Sequence, residues 1–245
     1  MEGNNVGRYS INWSGQYLKY GENLAAPRSV ELFNGKKIII REITGAFPKN
    51  IISTYTEEFY LYNRSNIGII EKEGKKIDLK YILVVLNSTL ISYYFMKNTA
   101  KSVRKLFPKI ILNDLRKFPF KEISLQEQQH FIEKADKMLF LNKNLQEISQ
   151  KFQRMIMREL GLEKISTKLQ NWYLLNFDEF IKELSKVKVK LSLSQKADWE
   201  DYFIAEKSKA ETLNNEITKT DKEIDGMVYE LYGLSEEEVK VVEAN

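Results

Sequence analysis

Residues 81–96 read YILVVLNSTLISYYFM, sixteen uncharged positions in a chain that is 29% charged. A membrane-spanning helix needs about 20 mostly apolar residues. This run is shorter and carries Asn87, Ser88, Thr89 and Ser92 at its centre. It therefore reads as a buried helix, capped by Asp78 and running from about Leu79 to Lys97. Being apolar on all sides, the helix must pack against several partners. The opening residues MEGNNVGRYS contain no apolar signal region. The chain has no cysteine, which fits a cytoplasmic protein with no membrane attachment.

Short strands are expected before this helix. Ile38–Ile40, between Gly35 and Gly45, has the pattern of a buried strand. EEFYLYNRS (57–65) and NIGIIEKEGKKI (66–77) read as further strands, and most of the 11 glycines lie before residue 75. After the helix, Pro108 and Pro119 interrupt the chain, and KIIL (109–112) reads as a short strand.

From residue 124 the pattern turns helical. Ser124 and Glu127 form a capping box, as do Ser235 and Glu238. Met138, Leu141, Leu145, Ile148, Phe152 and Met155 follow a heptad spacing that Gly161 should stop. Ala210, Leu213, Ile217, Thr220, Ile224, Met227 and Leu231 form a second such stripe. The two stripes are expected to pack on each other as a long antiparallel pair; the alternative is that each packs separately on the rest of the fold. A short helix capped by Asp178 is expected, and the next helix is expected to start near Ser194. The fold class predicted is α+β: a β-rich domain over 1–123 with one buried helix, then a helical region over 124–245 with long antiparallel heptad-patterned helices.

Catalytic motifs are absent. The single histidine, His130, falls on a helix start and reads as a surface residue, which removes His/Cys metal sites and makes a His-dependent triad improbable. There is no glycine-rich phosphate loop and no Asn-Pro-Pro-Tyr run. Glu73 and Lys75 have a nuclease-like spacing without a metal-binding aspartate before them, and read as a charged hairpin tip. Asp221, Glu223 and Asp225 read as solvated helix charge.

Charge is more informative. Residues 1–124 hold 20 Lys/Arg against 11 Asp/Glu, a surplus of +9, whereas residues 125–245 hold 18 against 23, or −5. A basic half points to a polyanionic partner. Lys and Arg supply the phosphate contacts that dominate nucleic-acid affinity, and Tyr55, Phe59, Tyr60 and Tyr62 lie among them.

Several stretches, in order, resemble one family. GRYSI (7–11), YLKYG (17–21), KKIIIREITG (36–45), LKYILVVLNSTLISYYF (79–95), LFPKI (106–110), LRKFPF (115–120) and EIDGMVYELYGLSEEEVKVVE (223–243) are similar to the TaqI-like C-terminal specificity region of adenine-methylating restriction–modification enzymes, especially the type IIG fusions. The Leu86-Asn87-Ser88 unit and the ending YELYGLSEEE (229–238) are the most characteristic. FPFKEISLQEQQHFIEKAD (118–136) also resembles the entry to the spacer helices of type I specificity subunits.

The resemblance implies a target recognition domain for double-stranded DNA, covalently linked to a methyltransferase domain that precedes it. That domain would hold S-adenosylmethionine, with magnesium where the parent also cleaves, and flip the adenine. This chain would then be a non-catalytic fragment with no cofactor of its own. Recognition loops differ between family members, so no base contact can be carried over by motif. The basic residues themselves nominate Lys36, Lys37, Arg41, Lys97, Lys101, Arg104, Lys105 and Lys109 as phosphate contacts, with Arg64 and Asn66 as base-edge contacts. The competing readings are a protein-interaction or dimerisation module using the heptad stripes, and half of a type I specificity subunit.

Overall fold

The computed structural model describes residues 1–71, 74, 76–99 and 108–244. The chain is α+β and forms two compact units, residues 1–139 with 220–245 and residues 140–219.

The first unit begins with a two-stranded hairpin, β1 (Val6–Gly7) and β2 (Ser10–Ile11). The strands β3 (Lys37–Arg41), β4 (Ser53–Thr56) and β5 (Asn66–Ile70) form an antiparallel sheet in the order β4-β3-β5. The Ile38–Ile40 triplet is the central strand, and all three side chains are buried. Because side chains alternate along a strand, Ile38 and Ile40 serve one face while Lys37, Ile39 and Arg41 serve the other. A strand with both faces covered needs such an uninterrupted apolar run. On the Ile39 face, Gly68 lies opposite Ile39, and a side chain at Gly68 would collide with the Tyr62 hydroxyl. The chain after β4 therefore folds back over the sheet.

The stretch 79–97 is not one helix. It divides into α1 (Leu79–Leu86) and α2 (Thr89–Asn98), bent by 66°. Asp78 caps α1 as expected, accepting from the Lys80 amide at 2.7 Å. The break has a polar cause. Asn87 is fully buried: its Oδ1 accepts from the Ser53 amide and hydroxyl at 3.2 and 2.9 Å, and its Nδ2 donates to the Ser53 carbonyl at 3.1 Å. Continuing the helix would withdraw this amide from the sheet edge. Ser88 then caps α2, accepting from the Ile91 amide. No single helix among the described residues is long and apolar enough to cross a membrane.

Other local expectations shift. Residues 57–65 are not a strand; the strand is the preceding Ser53–Thr56. In KIIL only Lys109 pairs, bridging to Ile43. Asp114 then accepts from the Ile111 amide and starts α3 (Leu112–Leu115).

The helical region comprises α4 (Leu125–Glu159), α5 (Thr167–Gln170), α6 (Phe177–Lys186), α7 (Leu193–Tyr232) and α8 (Glu236–Glu243). The capping boxes at Ser124 and Ser235 form as expected. Gly161, with φ of +63°, follows the end of α4. The cap of α6 is Asn176 rather than Asp178, with Glu179 completing its box. Ser192 rather than Ser194 starts α7, sharing reciprocal hydrogen bonds with Gln195.

In the second unit Leu145, Ile148 and Phe152 of α4 share one apolar cluster with Ala210, Leu213 and Ile217 of α7. Aromatic rings fill it: Phe152 stacks on Trp172 at 3.8 Å and on Tyr202 at 5.5 Å, and Phe180 stacks on Phe203 at 5.0 Å.

Candidate nucleic-acid interface

The first unit presents two long connections on its sheet. Residues 12–29 have no regular helix or strand and expose Trp13, Tyr17 and Leu18. Residues 57–65 expose Phe59. Both connections are fixed from beneath. Tyr20 packs edge-on against Phe33, and Phe33 edge-on against Tyr62. Lys37 lies inside: its ammonium donates to the Gly35 carbonyl at 3.0 Å and the Glu58 carbonyl at 2.5 Å. Burial lowers the Lys37 pKa, with Glu58 pulling the other way. Two polar partners make this burial tolerable, and they tie the entry of β3 to the chain beyond β4.

The nominated residues divide accordingly. Lys37 is fully buried and engaged as that tie, so its ammonium is not presented to a phosphate. Asn66 is also buried, with its amide reaching the Met1 carbonyl, and does not present a free edge to a base. Lys36, Arg64 and Lys97 are exposed, and Arg41 is half-buried. The Lys97 ammonium lies 5.3 Å from the Tyr93 ring centre. Lys109 shares its charge with Glu42 at 3.1 Å. Lys101, Arg104 and Lys105 lie outside the described residues, as do Glu73 and Lys75.

The sheet register brings some of these together. Arg41 pairs with Asn66 across β3 and β5, Arg64 lies in the turn just before β5, and Lys109 bridges to Ile43 just beyond Arg41. These three cations therefore belong to one end of the sheet. Lys36 is at the other, about 17 Å away along five residues of strand. Of the aromatics expected among the basic residues, only Phe59 is strongly exposed. Tyr62 packs on Phe33, and the Tyr55 ring lies 5.3 Å from the Lys80 ammonium. The Tyr60 hydroxyl donates to Glu58, and burial together with that carboxylate pushes its pKa up to about 12.

The acids read as solvated prove to be internal. Arg8, in the β1–β2 hairpin, forms a two-pronged pair with Asp221 of α7 at 3.0 and 2.6 Å, and also donates to the Asn87 carbonyl at 3.0 Å. Lys49 donates to both oxygens of Asp225 at 2.8 and 2.7 Å. Asp225 in turn accepts from the Thr89 amide and hydroxyl at 2.9 and 2.8 Å. A carboxylate at the first turn of α2 is favoured by the helix dipole. Burial alone would raise the Asp221 pKa; the Arg8 guanidinium and Lys49 ammonium overcome it and hold it low. Burial, reinforced by Arg8, lowers the pKa of Lys49. Only Glu223 of the three acids stays on the rim, paired with Lys134 at 2.5 Å. Nothing in local sequence pairs Arg8 with a residue more than 200 positions later; a helix face with two acids at i and i+4 was the only trace.

What this fold defines is an α+β domain whose loops are held by a buried polar framework. The comparisons give it a family. Residues 1–120 match the family model of the TaqI-like C-terminal specificity domain, and that segment is such a domain, which ties it to DNA recognition in restriction–modification enzymes. Residues 124–228 match the model of a domain of unknown function (DUF8810). No significant match was found among curated proteins or among solved structures.

Proposed function

We propose that this chain is the specificity module of an adenine-methylating restriction–modification enzyme of type IIG, reading duplex DNA for a covalently linked methyltransferase domain. The match of residues 1–120 to the specificity-domain family carries this reading. In it, residues 1–123 contact DNA and residues 124–245 form the helical C-terminal region. The module has no catalytic site of its own, and S-adenosylmethionine belongs to the linked domain.

The proposed phosphate contacts are Lys36 at one end of the sheet, Arg41 at the other, and Lys97 with the following Lys101, Arg104 and Lys105. Lys109 contributes less because Glu42 shares its charge. A separation of about 17 Å along β3 is on the scale of the major groove, about 12 Å wide between its walls. The two ends of the sheet can thus address opposite backbones while the loops between them reach base edges. Arg64, exposed in its turn, remains the candidate for a base edge.

The test is titration of the whole chain with a labelled duplex pool at stepped salt concentrations. Binding should weaken along a straight log–log line whose slope counts the phosphates engaged. Absence of binding at low salt would overturn the reading.

A further inference from the structure

The second unit carries a small cleft that the DNA-reading role does not use. Met155 and Glu159 of α4 line one side, and Asp198, Trp199 and Tyr202 of α7 the other, around a volume of about 230 Å³. Ligand pockets for drug-sized molecules start near 300 Å³, so this cleft suits a single side chain rather than a nucleotide or cofactor.

Its chemistry is specific. The Trp199 and Tyr202 rings stand at 74° with centroids 6.0 Å apart, forming two walls of a corner. Two carboxylates, Glu159 and Asp198, lie at the rim, and both are exposed. Asp198 makes no ion pair among the described residues. Aromatic walls favour a cation with an apolar stem, and the acids repel phosphate. A guanidinium fits better than an ammonium because it stacks flat on a ring and forks onto a carboxylate. The chain's own Arg158 illustrates the affinity from the rim. Its Nε donates to Glu159 at 2.8 Å, and its Nη2 lies 3.2 Å from the Met155 sulfur. That side chain is 71% exposed, and such surface pairs are weak and readily exchanged.

We infer that this cleft is a docking site for an arginine side chain of a partner polypeptide, which displaces Arg158 from Glu159 and stacks on Trp199 and Tyr202. The region matched only to a domain of unknown function would thereby gain a protein-binding role, separate from DNA reading.

The test follows the Trp199 indole resonance of the whole chain during titration with N-acetyl-arginine methylamide, with the neutral citrulline analogue as control. A saturable shift with arginine and none with citrulline is expected. Asp198→Asn, an exposed change that leaves the aromatic cluster intact, should weaken the arginine effect about threefold. Arg158→Gln should strengthen it by a similar factor, because the internal competitor is gone. Equal shifts with both analogues, no shift with either, or weaker binding in Arg158→Gln would each overturn the proposal.

Discussion

Each of the two units is organised internally by different physics. The second is organised by rings: Phe152 touches Trp172, Phe180, Trp199, Tyr202 and Phe203. Such packing depends on area and shape and tolerates small rotations. The first is organised by directional bonds at one node, residues 87–89. There the Asn87 amide grips Ser53, its carbonyl receives Arg8, and Thr89 donates to Asp225. Directional bonds fix orientation as well as proximity. Under the proposed function, loops that meet DNA at defined positions gain from that.

Substitutions at four positions test this contrast. Phe152→Ala should have the largest effect, about 4 kcal/mol from losing the central ring of a packed cluster, read by urea denaturation and unchanged by salt. A loss under about 1 kcal/mol would show that the second unit does not depend on this ring.

Asp221→Ala should cost about 3 kcal/mol, since it leaves Arg8 buried with only a carbonyl partner. The pair also has a pH signature. The folded Asp221 carboxyl titrates below its unfolded value. Its stabilisation is therefore complete above the ordinary aspartate pKa of about 3.9 and is lost as pH falls through the lower folded value. Asp221→Asn should flatten that acid limb of the stability curve. An unchanged limb would mean that the pair does not hold the first unit.

The smallest effects separate two neighbours. Lys37→Met should cost about 1–2 kcal/mol of stability and leave the salt slope of DNA binding intact. Lys36→Ala should change stability by less than about 0.5 kcal/mol and reduce that slope by about 0.9, the value of one phosphate contact. The reverse pattern would place the wrong lysine on the DNA.

Charge shows why the sequence misled on Asp221 and Asp225. Residues 1–124 carry a surplus of +9, but residues 220–245 join them in one unit and bring 8 Asp/Glu against 2 Lys. The first unit as a whole holds 24 Lys/Arg against 22 Asp/Glu, and the second 14 against 12. The contrast between halves of the chain is therefore not a contrast between units of the fold. Part of the basic surplus is neutralised internally, while Lys36, Arg64 and Lys97 are exposed.

Local physics made much of this protein readable in advance. The buried Ile38–Ile40 strand, the Asp78 cap, the boxes at Ser124 and Ser235 and the stripe residues of α4 and α7 depend on neighbours within a few positions. So do hydrogen-bonding caps and side-chain periodicity, which is why those features could be read directly. The ordered motifs likewise identified the specificity-domain family. Tertiary structure alone decided where helix 79–97 breaks, because Asn87 bonds to Ser53 on a different strand. It also decided that Lys37 points inward while Lys36 stays out, and that Asp221 and Asp225 join Arg8 and Lys49. Each of these outcomes turns on a polar group finding a partner far away in the chain, and burying such a group is favourable only once that partner is in place.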